Sequence, residues 1–595
     1  MPKNNLVRIN NNLVFLFLLF IAVLAAYANT FRNEFAWDDQ FFIVDNIHTR
    51  SLESLPDFFT EPSTGNLYRP MRGVFYTLTY KVWGLNELGY HLNAMLLHFL
   101  VTLTLFFITL KLTDKGLFSF VAALLFALHP IHTERVTNMT ASFDIYGILF
   151  LLLSFLAYVI FSKSNKKHYY WLSIALYLFA LFSSEEAITL TLLLFLYDLS
   201  FNYDFRIKNI KTLVKRYLPY IAVTILYLVI RLMVVQRIGR AEFYFEHSIF
   251  GTAIATIKVF AQYVMMLFLP SNLTIERYVK FETTVSSISF IISFIFLAVL
   301  IFFFIKAYKK SRIIFFSIGW FLITMLPFSN ILPQYTIMAE RYLYLASFGF
   351  AVFITFWIFK IKDIEPVKKY SKPIVAVLIL LIASSYLAIT VQRNMEWKDN
   401  FTLLSADLET NPYGTKINNA LALHYRDKED YERAVQYASK AIELASRNHN
   451  AYENLGTISA YKGNYDEAIK LYKKSIEISP DFYLAHNNLG LVYGYIGDFN
   501  SSIFYLKKAI ELEPKLSKAH NDLGIAYANI GKFDEAIKEM KESIRLNPYE
   551  SDYYYNLALI YGFNGDKDKA RELLMKGLEI EPENQKIKDK LESLR

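Results

Sequence analysis

The chain of 595 residues contains no cysteine. That absence excludes disulfide staples, zinc–thiolate centres and thiol nucleophiles, and it leaves the compartment open because exported proteins need no cysteine. Charge is scarce as well: 19 % of residues are Asp, Glu, Lys or Arg, against 54 % hydrophobic. The scarcity is uneven, since residues up to about 391 carry polar groups mainly at the ends of apolar runs, whereas the remainder has ordinary polarity. No basic stripe follows a soluble helix or groove, so the formal charge of +8 does not describe a nucleic-acid surface. A convincing small-residue cleavage site is also missing, so the first apolar run reads as an uncleaved anchor.

What is present in the first part is a series of apolar runs of roughly 18 or more residues between positions 13 and 391, each long enough to cross about 30 Å of hydrocarbon. Hydropathy alone gives eleven or twelve spans. Lys and Arg in short loops prefer the cytoplasm. Lys3, Arg8 and the basic stretches 111–115, 163–167, 206–216, 306–312 and 360–372 are therefore expected there, with the N-terminus. Alternation then places 29–90, 129–143, 183–187, 327–340 and the tail outside. Keeping 306–312 inside requires 251–269 not to cross, so that stretch is expected as a re-entrant or interfacial helix beside eleven crossings.

The second part is periodic. Pro480, Pro514, Pro548 and Pro582 stand 34 residues apart, as do Gly463, Gly497, Gly531 and Gly565. Small residues recur with them at Ala434, Ala468, Ser502, Ala536 and Ala570, where two helices approach closely. A period of 34 with these residues matches the tetratricopeptide repeat. The expected fold class is all-α, a polytopic membrane helical domain (1–391), a connector (392–410) and a repeat solenoid (411–595) of about five repeats closed by a capping helix. Amide side chains on the inner helices, Asn454, Asn488, Asn521 and Asn556, suit hydrogen bonding to an extended peptide; the alternative is packing between helices.

Polar groups of the membrane half gather on the expected outer face. Asp38-Asp39 follows the first span, and adjacent carboxylates raise each other's proton affinity, which fits one of them for general-base work. Arg69, His91, Asn93, His98, His129, His132, Glu134, Asp144, Glu185, Glu186, Glu340 and Tyr344 are candidates to line a cavity there, since ionisable residues at membrane depth mark functional sites. His91 and His98, two helical turns apart, are expected to point into the bundle together. Arg341 is the candidate phosphate clamp, because a guanidinium pairs bidentately with phosphate oxygens; its alternative is an ion pair with Glu340 or Glu186. His129, His132 and Glu134 offer a conceivable metal site, with structural hydrogen bonding at the Pro130 break as the favoured reading.

Taken in order, Trp37-Asp38-Asp39, Tyr68-Arg69-Pro70, His91-x-Asn93 with His98, His129-Pro130-x-His132-x-Glu134, and Glu340-Arg341-x-Leu343-Tyr344 with Ser347-x-Gly349-Phe350 resemble the transmembrane and tetratricopeptide-repeat-containing O-mannosyltransferases and their prokaryotic relatives. The resemblance implies a C-type glycosyltransferase fold that uses a polyprenyl-phosphate-linked sugar, mannose or another hexose, on the outer or lumenal side. It implies a catalytic base at the Asp38-Asp39 pair, with Asp38 favoured, phosphate binding by Arg341 and Arg69, no obligate metal, and repeats that bind a protein acceptor. It implies the plasma membrane of a prokaryote or the endoplasmic reticulum. Where the family pattern has a Lys-Glu pair this chain has Glu185-Glu186. Two other functions stay open: transfer to a lipid or glycan acceptor, and a non-catalytic scaffold.

Overall fold

The computed structural model describes residues 3–63, 67–202, 210–236, 248–277, 284–332, 334 and 336–594. Among them the secondary structure is helical, with one isolated bridge between Ser63 and Leu67. The chain divides into two compact units, Met1–Asn411 and Pro412–Arg595.

The first unit is a membrane domain. Eight of its described helices are long and apolar enough to cross a bilayer, and a ninth arises if the bent pair Gly116–Leu128 and Pro130–Val136 counts as one span. Shorter apolar helices, Lys167–Ser183, Leu190–Phe201 and Arg312–Thr324, pack among them. Several helices stop at a residue that tolerates the left-handed conformation, as at Asp114 (φ 55°) and Asn165 (φ 57°), whose short polar side chains reduce its cost. The basic loop 206–216 lies in part, at 206–209, outside the described residues.

The 52° bend at His129-Pro130 positions the site. Proline cannot continue the helix from Gly116, and His129 takes an extended ψ of 124°. Its Nδ1 then accepts the Ile131 N–H at 3.2 Å, capping the next turn. The short helix Thr133–Val136 that follows is wholly buried and carries Glu134 and Arg135 into the bundle.

One sequence expectation is narrowed here and another changes. The stretch 251–269 forms one continuous helix, Ile249–Phe268, of 20 residues with no break for re-entry. The supposed connector 392–410 belongs to the first unit: Trp397, Leu403 and Leu404 are buried, and Arg393 pairs with Asp407 at 2.8 Å. Its apolar side chains and paired charges give it the burial of a core element.

The second unit contains five helix pairs, from Thr415–Asp427 with Tyr431–Leu444 to Ser551–Phe563 with Lys567–Ile580, followed by Gln585–Ser593. Ala434, Ala468, Ala536 and Ala570 are fully buried where the paired helices cross. Gly463 and Gly531 turn between helices at φ of 77° and 78°, a conformation that a Cβ disfavours. The last helix buries Ile587 against Ala558, Ala570 and Leu574.

Candidate functional site

The acid pair splits into two environments. Asp38 is exposed, whereas Asp39 is 1 % exposed and accepts the Ala36 N–H at 3.2 Å and the Thr140 N–H at 2.7 Å. Burial pushes the Asp39 carboxyl up to about 7, against the opposing pull of Thr140 and Ala36 and with some help from the Asp38 charge. Just before them Trp37 sits at φ 59°, an outlier for a bulky side chain. A π-turn, Gln40–Val44, follows. Strained backbone of this kind persists only where surrounding contacts enforce it. Those contacts come from the far end of the unit: Trp37 N–H donates to Asn400 Oδ1 (3.3 Å), Glu34 N–H to the Lys398 carbonyl (2.8 Å) and the Asn33 amide to the Asn394 carbonyl (2.9 Å). Asn394 is fully buried, donating to the Ala26 carbonyl (2.8 Å) and accepting from Thr137 Oγ1 (2.7 Å).

Beside this loop five arginines meet four carboxylates. Asp144 accepts Arg69 (2.8 Å) and Arg135 (2.7 Å), with Arg72 at 3.5 Å. Arg135 also holds Glu186 (2.5 Å) and the Arg341 carbonyl (2.9 Å). Glu185 lies between Arg231 (3.3 Å) and Arg69 (3.9 Å). Glu134 receives both the Arg341 N–H (2.7 Å) and the Arg341 guanidinium. Of these cations Arg341 is the most open, with 28 % of its side chain exposed against 6 % for Arg69 and 1 % for Arg135. Asp38 is near enough to act on the Arg341 charge.

Three expectations are corrected by these pairs. Arg69 is buried and spent on Asp144, so it shapes the cluster and presents no free guanidinium to a donor phosphate. Arg341 pairs with Glu134, not with Glu340 or Glu186. Glu340 faces the other way and accepts the Thr274 N–H (2.7 Å) and Arg277 (3.1 Å).

Below the cluster lies a layer of aromatic rings. His98 Nδ1 meets Tyr344 Oη at 2.7 Å and its Nε2 meets the Ala127 carbonyl at 3.0 Å. A carbonyl only accepts, so Nε2 carries the proton and Nδ1 receives the tyrosine O–H. His132 Nε2 bonds Ser347 (2.8 Å), His129 Nε2 bonds the Leu267 carbonyl (3.0 Å), and Asn93 accepts Tyr146 (3.1 Å). These bonds at the helix break, with Glu134 held by Arg341, favour the structural reading of His129, His132 and Glu134 over a shared metal. His91 is buried on the same helix as His98, so both rings point into the bundle as expected, although His91 makes none of the His98 contacts.

In the second unit Asn454 and Asn521 are buried, while Asn488 donates to Glu453 (2.6 Å) and Asn556 to Asn521 (3.0 Å). These bonds tie successive repeats together. The step of 34 from Asn454 passes through 488, 522 and 556, so Asp522, not Asn521, is the equivalent residue. Burial pushes its carboxyl up to about 6, opposed by Lys518.

Comparison with known proteins agrees with both halves. Tetratricopeptide-repeat models match 415–448, 483–516, 505–538 and 551–584, and a TPR repeat model matches 458–497. Human protein O-mannosyl-transferase TMTC3 is 25 % identical over 492 residues, which is 75 % of this chain and 53 % of the relative. The homologues are protein O-mannosyl-transferases. Human TMTC4 is 26 % identical over 478 residues, 70 % of this chain and 64 % of the relative. This chain spans about half the length of the TMTC3 proteins it matches, 53 % in human and 52 % in mouse. Among solved structures, YrrB, a TPR protein with an unusual peptide-binding site, is 25 % identical, with 32 % of this chain and 97 % of YrrB covered and a TM-score of 0.26.

Glu185, where the resemblance implies a lysine, has Arg231 opposite it at 3.3 Å. Sequence reasoning missed Arg231, although an arginine inside the apolar run Leu226–Val235 was itself a signal. It also gave no role to Arg72, Arg135 or Asn394, each of which has a partner far off in sequence, at Thr140, Glu186 and Ala26.

Proposed function

We propose that this chain is a membrane glycosyltransferase that moves mannose or another hexose from a polyprenyl-phosphate donor to hydroxyl groups of a protein acceptor. The observation that carries the reading is an exposed carboxylate, Asp38, close enough to act on the charge of Arg341, the most open arginine of a buried cluster, at one end of an apolar helical bundle. The names of the homologues support the same class of reaction.

Asp38 removes the proton of the acceptor hydroxyl, the oxygen attacks the anomeric carbon from the face opposite the phosphate, and the C–O bond to the lipid phosphate breaks with inversion. Arg341 takes the developing phosphate charge. Phosphate monoester is a good leaving group, so a base, a cation and positioning suffice without an obligate metal. Asp39, with both oxygens engaged by backbone N–H groups, holds the loop that aims Asp38. Glu134 fixes Arg341 from two sides.

This end of the bundle is the outer face in the proposed topology. The helix Ile249–Phe268 meets it along its length, at Thr256 with Asn330 (3.3 Å), Tyr263 with Ala339 (3.0 Å) and Leu267 with His129 (3.0 Å). Contacts of that kind suit an interfacial helix. With it set aside, the seven other long helices, the bent pair and the three shorter ones make eleven crossings, and the loops 111–115, 163–167, 306–312 and 360–372 fall together at the opposite, cytoplasmic end. The repeats then lie on the outer side of the membrane and bind an extended acceptor, raising its effective concentration.

The test is transfer by the purified full chain in lipid, with several polyprenyl-phosphate hexoses and a Ser/Thr peptide pool. Asp38→Asn is expected to lower transfer by about 10²–10⁴-fold with thermal unfolding unchanged. Full activity in that variant, or no transfer from any donor by folded protein, refutes the reading; transfer to a lipid acceptor alone replaces the protein acceptor.

A further inference from the structure

The helix Ile288–Lys310 is held to the core along one side, where Phe304 stacks on Phe315 (4.6 Å), but none of its most apolar 18-residue stretch is buried. Behind it, against Val264–Phe268, Arg312–Phe321 and Gly349–Trp357, lies a cavity of 620 Å³. Its walls are apolar, with Phe296, Phe303, Phe321 and Phe350 among them, and its charged lining residues are Lys306 and Lys310. The space is half open to the surroundings of the helices, and a dry apolar site of this kind takes an apolar ligand; beside membrane helices that ligand is hydrocarbon.

The charges decide which hydrocarbon. From Phe296 to Lys310 the helix rises about 21 Å, somewhat more than the roughly 15 Å hydrocarbon depth of one leaflet. One end of the cavity adjoins the site, where Phe350 packs on His129 with ring centroids 5.8 Å apart, and the other ends at the two lysines. Asp38, Arg69, Glu134 and Arg341 do not line it. A lipid whose phosphate belonged at Arg341 would therefore leave the lysine end unmatched. Both lysines are exposed and Lys306 lies over the Phe302 ring (4.7 Å), at the depth where basic side chains recognise lipid headgroups.

We propose that this cavity binds an anionic phospholipid of the leaflet remote from the acid loop, an acyl chain filling the apolar space and the phosphate resting on Lys306 and Lys310. Such a lipid extends the packing of Ile288–Lys310 beyond its contact with Phe315 and holds that helix more firmly to the bundle. The proposal stands independently of the sugar-transfer reading.

It is tested by purifying the full chain in a neutral detergent and identifying retained lipid by native mass spectrometry, then adding back phosphatidylglycerol or phosphatidylcholine. The expected result is one anionic phospholipid per chain and a rise in unfolding temperature with phosphatidylglycerol alone. Retention should fall at least tenfold in Lys306→Gln/Lys310→Gln, persist in Lys306→Arg/Lys310→Arg, and fall in Leu300→Trp, which fills the cavity while sparing both lysines. Wild-type protein without lipid, equal retention in the Gln pair, a zwitterionic lipid, or a polyprenyl phosphate in the cavity would each overturn the assignment.

Discussion

Replacing Arg135 by methionine tests the cluster directly. Arg135 is 1 % exposed and serves three acceptors, Asp144, Glu186 and the Arg341 carbonyl. Without it Asp144 keeps Arg69 (2.8 Å) and Arg72 (3.5 Å), but Glu186 loses the one ion pair described for it and is left buried with its charge uncompensated. Removing one partner of a buried pair costs about 3–5 kcal/mol, most of it the penalty on the charge that remains. Over the 411 residues of the first unit, an unfolding entropy of about 2.1 cal/mol/K per residue converts about 4 kcal/mol into a fall of about 5 °C in unfolding temperature. Arg135→Met/Glu186→Gln removes the orphaned charge and should recover at least half of that loss. Sugar transfer should stay low in both variants, because the Arg341 carbonyl lacks its donor in each. Thermal unfolding and transfer on the same preparations provide the assay. A single variant losing under about 1 kcal/mol, or a double variant no more stable than the single, refutes the arrangement of charges.

Three further outcomes are expected. Asp39 is held near 7 in the folded chain, against about 3.9 in the unfolded one; its contribution to stability is therefore full below about pH 4 and is lost as pH rises through about 7, and unfolding temperatures across that range should lose this slope in Asp39→Asn. Gly349→Ala should destabilise the first unit by about 1–3 kcal/mol, read by denaturant unfolding, because a Cβ there would meet the Ser317 carbonyl oxygen at 2.4 Å, a backbone atom that cannot move aside. Asn556→Ala removes the bond to Asn521 (3.0 Å) between repeats and should cost about 0.5–1.5 kcal/mol while weakening peptide capture by the second unit, measured by fluorescence anisotropy.

The repeats were almost entirely legible in the sequence because a period of 34 is a local property. Helix, turn glycine and small crossing residue recur at fixed offsets, and stepping that period correctly leads to Asp522 where a search for amides stopped at Asn521. Membrane helices were legible for a similar reason: an apolar run needs no partner to be recognised. Pairing was not. Arg69 read as a free cation because Asp144 lies 75 positions away, and nothing local distinguishes a guanidinium that is spent from one that is available. Nothing local told Asp38 from Asp39 and only the resemblance favoured Asp38; one faces outward and the other is sealed by Thr140, 101 positions on. The stretch 392–410 looked like a linker because its polarity is ordinary; its burial comes from partners near residues 26–37 and at Thr137 and Ile275.

Those partners impose an order of events during synthesis. Asn33 waits for Asn394, 361 positions later, and Trp37 waits for Asn400, 363 positions later. At about 5–20 residues per second the loop carrying the acid pair spends on the order of 20–70 seconds exposed without the segment that shapes it. Closing so long a loop is entropically slow and depends on every intervening helix having reached its place. A chain arrested before Asn394 therefore has both carboxylates and all five arginines of the cluster but no formed site, so the proposed chemistry becomes possible only when the membrane domain is complete.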